Sequence, residues 1–199
     1  MASLLDFITS KVRVKLIEYF FQNPTEMWYV RQITRDIDEE INAVRRELDK
    51  LQTDGMLKSE ERGNRKYYFL NPAYDFYSDL LKLVSKTTGL GKQMKKNRSK
   101  LGKVEYIVFA GKFAKKMSHS NDEVDVLAIG DVVLPELAEL IRAEEQVRGR
   151  EINYTVMSLE EFEFRKARRD PFLLSILELP RVMIIGEEEK LLERKPTLA

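Results

Sequence analysis

The chain of 199 residues has no cysteine and a single histidine, His119. Without cysteine there are no disulfide staples, no thiolate metal sites and no thiol catalysis. With one histidine as well, a zinc enzyme or zinc-stabilised domain is not expected. No apolar run approaches the length of about 20 residues that spans a bilayer. The opening MASLLDFITSKVR has neither the basic head nor the long apolar centre of a secretory signal. These absences set the expectation of a soluble, cytoplasmic protein with no membrane partner. What is present is an apolar fraction of 43%, enough for real cores in one large domain or two modest ones.

The formal charge of +1 conceals a division. Residues 1–100 carry 19 Lys or Arg against 14 Asp or Glu, and residues 101–199 carry 15 against 19. The basic front half is the better candidate for contact with a polyanion.

Helical periodicity runs through KVRVKLIEYFFQN, where Val12, Leu16 and Phe20 share a face. Pro24 marks a break. A second short helix is expected over WYVRQITRDI, with Val30, Ile33 and Ile37 inward, and a third over EEINAVRRELDKLQTDG, with Ile41, Val44, Leu48 and Leu51 as its buried stripe. Gly55 suits the stop. Two tight helices with an amphipathic partner are the parts of a helix-turn-helix. MLKSEERGNRKYYFLNP then predicts two short strands, residues 56–60 and 66–70, with turn chemistry at Gly63-Asn64.

That order of elements carries candidate nucleic-acid contacts. Asn42, Arg45, Arg46 and Asp49 lie away from the buried stripe of the third helix. Asn42 and Arg45 suit base edges, and Arg46 a base or a phosphate. Around the turn, Arg62, Asn64, Arg65 and Lys66 supply groups suited to phosphate beside a groove. The segment NAVRRELDKLQTDGMLKSEERGNRKYYFLNP resembles the small winged-helix regulators of bacteria and archaea, the group that includes the arsenic-responsive repressors. The resemblance covers residues 9 to 72. It implies a third helix in the major groove of double-stranded DNA and a homodimer on paired half-sites. The metal-sensing cysteines of some members are absent, so no metal sensing is inherited. DIDEE, residues 36–40, sets four acids around the start of the third helix; they suit the helix dipole but repel phosphates. A protein-binding or structural wing is the other reading.

Residues 73–88 keep an apolar face through Phe76, Leu80, Leu83 and Val84, and the aromatics Tyr74, Phe76 and Tyr77 read as core or as a pairing surface. Gly89 and Gly91 are expected to bend the chain before a short basic helix. GLGK lacks the preceding strand and the spacing of a phosphate-binding loop. The basic run of residues 92–103 is either a nonspecific DNA contact or a solvated face.

From Val104 the pattern is one of short apolar strands separated by helices, a small α/β domain. VEYIVFA precedes Gly111, residues 124–130 form the next strand, and INYTVMS and RVMIIG follow after helical segments. Residues 102–190 resemble the minimal nucleotidyltransferases, relatives of DNA polymerase beta. Their signature is a glycine-serine pair, a helix, two acids one residue apart on the next strand, and a third acid from a later strand. In active members the acids hold magnesium. Here Gly111 matches the glycine, Lys112 replaces the serine, Glu123 and Asp125 take the two acidic positions, and Asn153 stands nearest to the third, with Glu151 close by. Gly111 and Lys112 are the candidate nucleotide contacts, Glu123 and Asp125 the candidate metal and catalytic pair. An ion pair of Lys112 with either acid is the structural alternative.

The expected fold is α+β: a winged helix-turn-helix at 1–72, a helical linker or dimerisation segment at 73–101, and a nucleotidyltransferase-like α/β domain at 102–199 with altered catalytic residues. The expected function is DNA-binding transcriptional regulation, the second domain serving in sensing, dimerisation or binding of a protein partner or nucleotide, with no cofactor. The alternative is a magnesium-dependent nucleotidyltransferase, antitoxin-like in role, whose winged helix presents the acceptor.

Overall fold

The first helix, α1 (Lys11–Gln22), starts where the Ser10 side chain accepts a hydrogen bond from the Arg13 N–H at 3.2 Å, capping one of the orphan donors of a helix start. Its inner face buries Val14, Leu16, Ile17, Phe20 and Phe21, and Val12 is half-buried. The computed structural model describes residues 3–117 and 123–193. His119, expected in a solvent-facing loop, lies outside them. Two units make up the chain, Met1–Thr88 and Gly89–Ala199.

In the first unit α1 is followed by β1 (Trp28–Tyr29), α2 (Val30–Ile37), α3 (Ile41–Thr53), β2 (Leu57–Arg62) and β3 (Arg65–Leu70). The antiparallel sheet has the order β1-β3-β2. This is the helix, strand, helix, helix, hairpin order of a winged helix. Trp28 and Tyr29 are not helical as the sequence pattern implied. They pair with Tyr68 and Tyr67, where aromatic side chains suit a pleated surface better than a helix start. Ile33, Ile37, Val44, Leu48 and Leu51 are buried, whereas Val30 and Ile41, expected with them, are half-buried at the first positions of α2 and α3. The strands extend to Arg62 and Arg65, which face each other across Gly63-Asn64. Gly63 has φ 60, the positive value a tight two-residue hairpin turn takes at its first central position.

Helix α4 (Tyr77–Thr87) belongs to this unit. It buries Tyr77, Leu81, Val84 and Thr87, one step out of phase with the expected face of Phe76, Leu80, Leu83 and Val84. Phe76 precedes the first turn and is 61% exposed, edge-on to Tyr74; Tyr77 instead meets Phe21 at 5.4 Å. The residues expected as a single linker are therefore divided, α4 to the first unit and α5 (Gly89–Lys96) to the second. Gly89 stands at the first position of α5 with a left-handed φ of 47, where a bend was expected, whereas Gly91 lies inside the helix.

The second unit continues with β4 (Gly102–Ala110), α6 (Gly111–Ala114), β5 (Val126–Val132), α7 (Leu134–Arg148), β6 (Tyr154–Met157), α8 (Leu159–Ala167), α9 (Pro171–Leu177), β7 (Arg181–Ile185) and α10 (Glu188–Leu192). The sheet order is β6-β5-β4-β7. β4 runs antiparallel to β5 and β7, and β5 runs parallel to β6. Val108, Leu127, Ile129, Met157, Phe162 and Leu173 form the centre of its core. No helix among the described residues is long and apolar enough to cross a membrane.

One charged residue sits within the first unit's packing. Glu47 on α3 is 9% exposed and receives Arg13 Nε at 2.7 Å and Lys50 Nζ at 3.2 Å. Burial pushes its carboxyl upward, and the two hydrogen bonds more than offset this, so it lies below the usual carboxylate value. Its stabilising effect is therefore complete above the unfolded carboxyl pKa of about 4.3 and is lost as pH falls through the lower folded value. Urea titrations at a series of pH values should show Glu47→Gln losing about 1–3 kcal/mol at neutral pH. The variant should also lose less further stability than wild type below about pH 4.

Candidate functional site

Three of the four acids at residues 36–40 have local side-chain partners. Asp36 accepts from Tyr19 Oη at 2.8 Å; burial and this hydrogen bond both raise the Tyr19 pKa. Asp38 ends α2 in the left-handed conformation at φ 50. Glu39 pairs with Lys15 Nζ at 2.7 Å and lies near Lys11 at 3.8 Å. Glu40 caps α3, accepting the backbone N–H groups of Asn42 and Ala43 at 2.8 Å each. The Lys15 hydrogen bond lowers the Glu39 pKa, and the two backbone N–H groups lower that of Glu40. The Glu39 and Glu40 carboxylates stay ionised, the first met by Lys15 and Lys11 and the second by the positive end of α3.

Asn42, Arg45 and Arg46 are exposed on α3, opposite a face that buries Val44, Leu48 and Leu51. Neither arginine has an ion-pair partner among the described residues. Asp49 is also exposed and is reached by Tyr68 Oη at 3.4 Å. In the hairpin, Arg62 pairs with Glu60 at 3.0 Å and lies 5.9 Å from the Tyr67 ring. Arg65 sits over Tyr29 at 4.8 Å and Lys66 over Tyr68 at 4.9 Å. Aromatic faces under the cations limit the rotamer freedom that binding must otherwise remove. Asn64 is exposed at the turn. Arg31 and Arg35 are exposed one turn apart on α2, Arg35 pairing with Asp36 at 3.3 Å, and neither was singled out from the sequence. Their spacing of four, away from Ile33 and Ile37, was the available signal.

The region matched to the nucleotidyltransferase signature has different geometry from its template. Glu123 and Asp125 precede β5, which starts at Val126 rather than Val124. They occupy unlike environments. Asp125 is 1% exposed, accepts the Asn153 N–H at 3.1 Å and lies 3.9 Å from Arg150 Nη2. Glu123 is half-exposed and pairs with Lys112 Nζ at 2.6 Å. Asn153 directs its amide to the Glu123 carbonyl at 3.2 Å, and Glu151 is exposed. Among the described residues no group of three or more His, Cys, Asp or Glu is placed to hold a metal. A two-magnesium centre needs several anionic oxygens at one point; here each carboxylate already has a cation, so the residues do not fit that group.

Gly111 has its own explanation. Its N–H donates to the Pro180 carbonyl at 2.7 Å, and a Cβ there would lie 2.6 Å from that oxygen. The missing side chain permits the first residue of α6 to lie close against Pro180, in the segment that leads into β7. Below the turn, Phe113 is fully buried beneath Arg148, whose guanidinium lies 3.9 Å from the ring centre. Arg148 also bonds Glu144 at 2.7 Å and the Phe113 carbonyl at 3.1 Å. Burial lowers the Lys116 pKa, and Arg148 lowers it further against the pull of Glu144.

No family model matches the chain. An uncharacterised HTH-type transcriptional regulator of Methanocaldococcus jannaschii is 31% identical over 65 residues, which are 33% of this chain and 16% of that protein. Reduced HlyU from Vibrio cholerae is a structural neighbour at 14% identity and TM-score 0.33, over 42% of this chain and 80% of its own.

The Asp125 environment sets a discriminating expectation. A carboxylate kept for a metal strains a metal-free site, and its amide variant gains stability. One that balances Arg150 inside the fold does the opposite. Asp125→Asn should lower stability to urea by about 1–3 kcal/mol; a gain in stability would assign the residue to a metal site.

Proposed function

We propose that this protein is a DNA-binding transcriptional regulator. The observation that carries the reading is the outward face of α3, where Asn42, Arg45 and Arg46 stand exposed beside a helix start capped by Glu40. A helix of this width fits the major groove, where arginine and asparagine can read guanine and adenine edges. Arg62, Asn64, Arg65 and Lys66 in the hairpin would take phosphate contacts, which position without reading sequence. Similarity to a protein described as an HTH-type transcriptional regulator supports the same reading.

The second unit is proposed as a nucleotidyltransferase-like domain that serves in sensing or assembly rather than in transfer. The order β4, α6, β5, with β5 antiparallel to β4 and parallel to β6, supports the kinship. The Lys112–Glu123 pair and the buried Asp125 support the altered role. A homodimer on paired half-sites is part of the proposal, with residues 73–88 as its assigned surface because Phe76 is exposed there.

The test is retention of genomic duplex fragments by the purified chain, with sequencing of what is retained. A short palindromic motif is the expected result. Against that motif, Arg45→Ala should cost about 1–3 kcal/mol and relax the preference at one or two positions. Arg65→Ala should weaken all sequences alike. Retention of no fragment at low salt would remove the proposal.

A further inference from the structure

The Lys15 ammonium on α1 is directed at the turn between α2 and α3. Its Nζ donates to the Ile37 carbonyl at 2.7 Å and the Asp38 carbonyl at 3.4 Å, and pairs with Glu39 Oε1 at 2.7 Å. An ammonium has three donors and no acceptor, so these three oxygens match its capacity. Ile37 is the last residue of α2, where the final carbonyls lack partners within the helix and a cation suits the negative end. Asp38 stands at φ 50, a left-handed position that turns between helices often give to glycine. A residue with a Cβ stays in that conformation only where its surroundings hold it. Lys15 bonds the backbone on both sides of it.

The first turn of α3 depends on that segment. Ile41 and Ala43 are half-buried and Asn42 is exposed; the first buried residue of the helix is Val44. Residues 41–43 are thus placed less by the core than by what precedes them, the Glu40 cap and the turn held by Lys15. Asn42 lies in this first turn, and Arg45 and Arg46 follow it. Bidentate base contacts are made or lost over a few tenths of an ångström, whereas phosphate contacts carry no sequence information. We propose that Lys15 is a positioning residue for base recognition: by fixing residues 37–39 it sets how α3 presents Asn42 and Arg45 to the groove. Resting on the DNA-binding reading, this role concerns sequence preference rather than affinity for DNA at large.

The test compares the full chain with Lys15→Met, which keeps an apolar stem and removes the donors, and with Lys11→Met. Lys11 carries the same charge but lies 3.8 Å from Glu39 and is 70% exposed, too far for a hydrogen bond. Fluorescence anisotropy measures each protein on a labelled duplex carrying the motif retained in the fragment selection, and on the same duplex with that motif permuted. Lys15→Met should lower the ratio of the two affinities about tenfold. Lys11→Met should leave it within about twofold of wild type. Loss of folded protein lowers both affinities by one factor and does not move the ratio. Without DNA, amide hydrogen exchange in Lys15→Met should be about tenfold faster at Asp38, Glu39 and Asn42, measured against Leu48 and Leu51 as reporters of global opening. A wild-type ratio in Lys15→Met, an equal loss in Lys11→Met, or unchanged exchange at Asp38 and Glu39 would each overturn the assignment and leave the DNA-binding reading standing. Retention of no duplex by wild type would remove that reading, and the assignment with it.

Discussion

A charged group removed from water must be met by an opposite charge or by hydrogen bonds, and this constraint organises both units. In the first, Glu47 is accepted into the packing of α1 against α3 because Arg13 and Lys50 reach it. In the second, Asp125 is accepted at the head of β5 because Arg150 and the Asn153 N–H attend it. Isolated, either carboxylate would cost several kcal/mol. Paired, each fixes the position of the elements that supply its partners.

The same accounting of charge separates an outward surface from an inward one. Asp36, Glu39 and Glu40 are met by Tyr19, Lys11, Lys15 and the helix cap, and among the described residues Arg45 and Arg46 form no ion pair. In the second unit the absorption goes the other way. Lys112 satisfies Glu123, and among the described residues no set of carboxylates converges for a divalent cation. The Lys112 ammonium supplies on the protein itself the positive charge beside Glu123. What lies at that place is a hollow lined by apolar side chains and by the Lys112–Glu123 pair.

Much of this was legible from the residues. The stripes of α1, α2 and α3 follow from spacing alone, as do the hairpin around Gly63-Asn64 and the alternation of strands and helices after Val104. The errors have physical causes. Trp28 and Tyr29 were assigned to a helix because the adjacent periodicity is helical; their partner strand is some forty residues away, and no local pattern records it. The α4 face was placed one residue off because Phe76 and Tyr77 are both aromatic, and only Phe21 decides which turns inward. Gly111 was matched to a phosphate-binding glycine when its close neighbour is Pro180. Alternation along an assumed strand put Glu123 and Asp125 on one face, but both precede β5 and differ in burial. The Lys112–Glu123 pair was open as an alternative, and tertiary geometry selected it.

The central claim is that exposed cations of α3 and the hairpin engage duplex DNA, and the salt dependence of binding tests it most directly. Each phosphate neutralised contributes about −0.9 to the slope of log K against log salt. With Arg45, Arg46, Arg62, Arg65 and Lys66 available, fluorescence anisotropy on a labelled duplex should give a slope of about −3 to −5 per protomer. A slope near zero, or no binding at about 50 mM salt, would contradict the account.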